Sequence, residues 1–147
     1  MSANMEATST AYGVNAQYQA TLLLVGRVLM SLLFVWFGYL KLTGWEGSVQ
    51  YFAKWGFSWA PMLGAALAVI FELGGGLLLL IGWKTRWVAA ALFVYVIVAT
   101  LIVHTYWTYE AAQRFAQMAN FYKNLGIMGG MLLLVAAGPG RYSVDKG

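Results

Sequence analysis

The 147-residue chain contains no cysteine. Disulfide stapling, thiol catalysis and cysteine-ligated metal centres are therefore excluded, and the redox state of the compartment leaves no mark on the sequence. Histidine occurs once, so a transition-metal site built from the usual nitrogen and sulfur donors lacks ligands. Charge is scarce too. Asp, Glu, Lys and Arg make up 10% of the residues and hydrophobic residues 61%, against about 25% and roughly 45–50% in soluble domains. Disordered chains deviate in the opposite direction, so this composition points to a membrane protein. The net charge is +4, but the basic residues stand singly or in the short WKTR group. Without a dense basic stripe they read as loop charges that orient the chain in a bilayer, and nucleic acid is not an expected partner. The first twenty residues hold no Lys or Arg. A secretory signal needs a positive leading region, so residues 1–19 are expected to form a polar tail.

Four apolar segments follow, over about residues 20–40, 60–82, 87–104 and 119–137. Each approaches the ~20 residues that a helix rising 1.5 Å per residue needs to cross ~30 Å of hydrocarbon. They lack the alternating pattern of barrel strands. The expected fold is therefore an all-α membrane protein: an antiparallel four-helix transmembrane bundle over 20–138, closed by a short C-terminal tail, 139–147. The WKTR turn at 83–86 makes segments two and three antiparallel neighbours. Between segments one and two, Val49, Phe52, Ala53 and Gly56 share a helical face, which predicts a short helix lying in the membrane interface. Trp45, Trp55 and Trp59, with Tyr106, Trp107 and Tyr109 in the 105–118 connection, fit headgroup-level anchors. An even number of spans puts both termini on one side, and the WKTR turn and basic tail favour the cytoplasm.

Two groups of polar residues stand out. Glu72 interrupts AVIFELGGGLLLL, and Arg27 interrupts the first segment. Ionisable groups in the membrane interior are costly unless paired. Counted from the termini side, Arg27 lies ~10 Å in and Glu72 ~15 Å in, so an Arg27–Glu72 ion pair is expected. Arg27, Ser31, Phe34, Gly38 and Lys41 follow a 4-3-4-3 spacing that draws one packed seam. Gly64, Ala68, Glu72 and Gly76 give segment two a face of small residues. The pair reads either as a lock fixing helix order or as a proton or ligand site.

The second group lies at the opposite end. Lys41 closes segment one, His104 closes segment three, and Lys123 and Asn124 open segment four. On segment three Phe93, Ile97, Thr100 and His104 are expected to share a face, and on segment four Lys123, Gly126 and Gly130. Two lysines, a histidine and an amide beneath an aromatic lid suit an anionic or carbonyl-bearing ligand such as a quinone head group. They equally suit snorkelling lysines and a boundary histidine with structural roles. No phosphate loop, dinucleotide fingerprint or nucleophile motif is present, and no catalytic residue is assigned.

These features together resemble the DoxX family of small bacterial and archaeal membrane proteins. The matching stretches are GR at 26–27, FGYLKL at 37–42, FELGGG at 71–76 and GWKTR at 82–86. HTYW at 104–107, KNL at 123–125 and GPGRYSVD at 138–145 complete the set. The resemblance implies a four-helix bundle in the cytoplasmic membrane and a place in a quinone-linked redox system, as a subunit rather than a self-sufficient enzyme. Relatives that work through cysteine pairs offer no mechanism to this chain. Its implied partners are the lipid bilayer and either other membrane subunits or further copies of itself. A non-catalytic accessory subunit is the competing expectation.

Overall fold

The computed structural model describes residues 16–55 and 57–145. Residues 1–15 of the expected tail, Gly56 of the expected interfacial face and Lys146 lie outside the described residues. Helix α1 runs from Ala16 to Thr43, α2 from Trp45 to Lys54, and α3 from Pro61 to Val69. A π-helical turn, Ile70–Gly74, joins α3 to α4, Gly75–Ile81. Helix α5 spans Thr85–Val103, a 3₁₀ turn covers Tyr106–Thr108, and α6 spans Ala111–Ala137. The described residues contain no strand. Three segments have the length and composition to cross a membrane: Ala16–Thr43, Pro61–Ile81 and Thr85–Thr108. The protein is a multi-pass helical membrane protein.

Two expected boundaries move. Segment one is already helical at Ala16, inside the stretch expected to be tail. The last helix begins at Ala111 rather than near 119, so its first half carries Gln113, Arg114, Gln117, Asn120, Lys123 and Asn124. Those polar residues hid the helix, because apolar continuity begins only at Leu125.

Neighbouring elements form a ring in which α1 packs on the α3–π–α4 rod, the rod on α5, α5 on α6, and α6 on α1. The small α2 lies across α3 and the end of α1. Phe34, Leu79, Leu92, Val96, Ile127 and Met131 meet at the centre. The closest approach, between α1 and the rod, needs two glycines. A Cβ on Gly76 would fall 2.9 Å from the Val35 backbone nitrogen, and one on Gly38 would overlap the Leu73 backbone.

The rod ends in a Schellman turn. Gly82 takes φ 74°, its N–H donates to Leu79 O (3.1 Å), and the Trp83 N–H donates to Leu78 O (3.0 Å). The following helix has no cap of its own, since Lys84 precedes it in a left-handed conformation. Asp145, sixty residues later, supplies one: its Oδ2 accepts the Thr85 N–H at 3.2 Å.

Candidate functional site

The seam read from the spacing of α1 is buried at Arg27, Ser31, Phe34 and Gly38, with Lys41 continuing it in partial burial. Its partner assignments differ from expectation. Glu72 pairs with Lys41, Nζ to Oε2 at 2.7 Å, and not with Arg27. The Glu72 Oε1 accepts a hydrogen bond from the Tyr95 hydroxyl at 2.6 Å. Arg27 instead donates from its two terminal nitrogens to the carbonyls of Pro139 and Tyr142.

The reason is the relative slide of the two rods. Gly38 faces Leu73 and Gly76 faces Phe34 and Val35, whereas the Arg27 guanidinium lies against Gly82. Arg27 is thus level with the end of helix α4. Glu72 is ten residues further along its rod, a rise of ~15 Å that an arginine side chain does not span. Lys41, one turn beyond Gly38, arrives beside Glu72 directly.

Arg27 has a different task, anchoring a C-terminal strap. Val144 N–H donates to Ile81 O and Asp145 N–H to Gly82 O, both at 3.0 Å. Arg86 closes the same end by donating to Val135 O (2.6 Å) and Ala136 O (2.8 Å), the unsatisfied carbonyls ending α6.

At the opposite end the structure brings Lys41, His104, Lys123 and Asn124 around one cavity of about 270 Å³. Glu72 and Tyr95 also line it, as does Tyr51 from α2. Most polar atoms here are engaged. His104 Nδ1 lies 2.7 Å from Gln117 Oε1. An amide oxygen only accepts, so Nδ1 carries the proton and Nε2 remains an acceptor in the neutral ring. Asn124 Nδ2 donates to Thr100 Oγ1 (2.9 Å), which itself donates to Val96 O (2.6 Å). Lys123 donates to Asn120 Oδ1 at 2.9 Å. The Phe37 ring carries a lysine on either approach, Lys41 at 5.6 Å and Lys123 at 6.0 Å from its centroid.

Tyr51 keeps its proton over a wide range. Burial above all, with Tyr109 and the Glu72 charge adding to it, pushes its hydroxyl up to about 12. It is therefore a neutral donor at any physiological pH.

A second cavity, about 540 Å³, adjoins the first. The two share Lys41, Tyr51, Glu72, Tyr95, Ala99 and His104 in their walls. Beyond that shared wall the second is apolar and runs between the rod and α5. Leu67, Val94 and Val98 line it and are exposed on the outer surface of the helices, so the groove opens sideways, toward lipid.

Sequence reasoning missed Tyr95, Tyr51 and Gln117. Tyr95 sits in the run FVYVIV, where an aromatic passes for lipid-facing bulk. The expected face of segment three is also rotated by one position: Leu92, Val96, Thr100 and Val103 are buried, while Phe93 and Ile97 are half-buried. Of the expected stripe on segment four, Gly130 meets Met30, but Gly126 has open space before it. Among the described residues no three His, Asp or Glu side chains gather as metal ligands.

Residues 22–105 match the DoxX family model. Inner membrane protein YphA of Escherichia coli (strain K12) is 38% identical over 125 residues, covering 85% of this chain and 89% of the relative. Inner membrane protein YqjF of the same organism is 37% identical over 126 residues, covering 84% and 88%. The Surfeit locus protein 4 homolog of Schizosaccharomyces pombe is 34% identical over 125 residues, although this chain spans only 36% of its length. No solved structure matches. With the family model covering more than half of the chain and two relatives of matching length, the protein belongs to the DoxX family of multi-pass membrane proteins.

Proposed function

We propose that this protein is a four-span inner membrane subunit that holds an amphipathic ligand of the quinone class for a redox complex. One observation carries the reading. A small polar chamber adjoins, across the walls they share, an apolar groove that faces lipid, which suits a head group followed by a chain. Helix α6 is the fourth span, with both termini cytoplasmic and the chamber toward the opposite face. The residues present fit a carbonyl-bearing head: Tyr51 offers a hydroxyl, Lys123 an ammonium and His104 a ring on the chamber wall. A bound quinone would supply the electron-accepting chemistry. The side chains of this chain exclude water, orient the ring and hold protons at the Tyr51 hydroxyl and the Lys123 ammonium. Electrons come from a partner oxidoreductase subunit, since the chain offers no thiol couple.

A second reading, a non-catalytic accessory subunit, draws support from an apolar recess of about 580 Å³ between α1 and α6, lined in part by Leu22, Gly26, Met30 and Leu133. Mass spectrometry of the protein extracted in native lipid separates the two. A stoichiometric quinone that disappears in an assembled His104→Ala variant supports the first reading. Defined partner chains with no bound quinone support the second.

A further inference from the structure

The charges around the chamber do not balance. Lys41 and Lys123 are two cations and Glu72 is one anion. Both Glu72 oxygens are already engaged, one by Lys41 and the other by Tyr95. Lys123 has only a neutral amide oxygen and the Phe37 face as partners among the described residues. One positive charge is left over, an exposed ammonium on the chamber wall, and the chamber shares part of its lining with the apolar groove. An ammonium with spare donors in such a setting gains most from an ionised oxygen, because charge-assisted hydrogen bonds are shorter and about twice as strong as neutral ones.

We infer that the chamber also binds a long-chain carboxylate, with the carboxylate on Lys123 and the acyl chain in the groove between the α3–π–α4 rod and α5. A single surplus cation is neutralised by a single negative charge, which a carboxylate carries and a phosphate monoester exceeds. Of the two cavities that share walls with the chamber, the groove between the rod and α5 is the larger, about 540 Å³ against about 340 Å³, and it takes the acyl chain. This inference rests on the joined cavities forming one amphiphile site and adds to it an anionic ligand that competes with the quinone. Free fatty acid in the membrane then acts as an inhibitor of the same site.

The test is saturable binding of radiolabelled palmitate to the full chain in neutral-detergent micelles, competed by unlabelled palmitate or by the alcohol of the same chain length. The expected result is that the alcohol competes at least roughly tenfold less well, the factor carried by about 1.4 kcal/mol. Lys123→Gln should lose palmitate affinity by a similar factor and Lys123→Arg should keep it. Lys123 is solvent-exposed and bonds only within its own helix, so unchanged melting of Lys123→Gln will show that the loss is not misfolding. Equal competition by the alcohol, or full palmitate affinity in Lys123→Gln, overturns the inference. A photoreactive quinone run in parallel keeps the two proposals apart. Labelling of the groove without charge-selective palmitate binding sinks the carboxylate and leaves the quinone reading standing. Charge-selective palmitate binding without quinone labelling does the reverse.

Discussion

Lys41 Nζ lies 2.7 Å from Glu72 Oε2 and ties the last turn of α1 to the π-helical turn of the neighbouring rod. The two side chains are 24% and 11% exposed, so the pair sits at the edge of the interior with little water to screen it. Its position in a π turn matters. Such insertions widen the helix locally and recur where a side chain must be presented to a site.

Removing one partner is therefore costly. Glu72→Gln leaves Lys41 uncompensated, and the expected loss is about 1–3 kcal/mol, the range for stranding a buried polar group. Lys41→Met should cost a similar amount. The double variant Lys41→Met with Glu72→Met should recover part of the loss, because replacing both charges removes their desolvation penalty. Thermal melting of the four proteins in detergent closes the cycle. Strict additivity would show that the two residues do not interact.

Tyr95→Phe makes a narrower test. It deletes one hydrogen bond to the carboxylate and leaves the ring stacked on Phe71, whose centroid is 5.4 Å away. Bonds to charged groups contribute about 1.5–3 kcal/mol. The variant should melt earlier than wild type while still assembling, and labelling by a photoreactive quinone should fall if the Glu72 carboxylate orients the site. Unchanged melting would mean that the Glu72 carboxylate finds another donor and that the Tyr95 hydroxyl adds no net stability.

Arg27 should control the C-terminal strap rather than Glu72. In Arg27→Gln the Pro139 and Tyr142 carbonyls lose a charged donor, and residues 138–145 should become a preferred site of limited proteolysis. Asp145→Asn should loosen the strap less, since only one capping contact is touched. Hydrogen exchange over the same residues reports the change directly. A strap as protected in Arg27→Gln as in wild type would place its stability elsewhere.

How far the sequence reached can be seen in these two basic residues. The 4-3-4-3 spacing from Arg27 to Lys41 named a buried seam, because side chains on one helix face follow from local geometry alone. It did not name partners. Those depend on how far two helices slide past each other, which here is set by Gly38 against Leu73 and Gly76 against Val35. Nor does spacing show that GPGRYSVD folds back to accept hydrogen bonds from Arg27. That His104, Lys123 and Asn124 line one cavity follows from each lying at the same end of its helix, a one-dimensional property. Tyr95 was invisible for the opposite reason: its role comes from which helix faces it.

The natural absence of cysteine makes the topology directly testable. Gln113→Cys and Arg141→Cys each create the only thiol in the chain, at exposed positions near opposite ends of the helix ring. With both termini cytoplasmic, a membrane-impermeant maleimide should label Gln113→Cys in intact cells and Arg141→Cys only after lysis. The reverse order would invert the protein in the membrane. Labelling of both from one side would remove α6 as a fourth span.

The glycines separate packing from mere flexibility. Gly38→Ala places a methyl group into the Leu73 backbone, and no rotamer change relieves a clash with main chain. Moving the rods apart would also draw Lys41 away from Glu72, so the expected cost is about 1–3 kcal/mol for overpacking with the ion pair weakened on top. Gly126→Ala is the control. Nothing lies within 4 Å of its added Cβ, and alanine in a helix interior is favoured over glycine by roughly 0.5–1 kcal/mol. Gly126→Ala should melt at or above wild type in detergent, whereas Gly38→Ala should melt well below it. A Gly38→Ala variant as stable as wild type would mean that α1 and the rod do not approach this closely. The Lys41–Glu72 pair would then lose the geometry that brings it together.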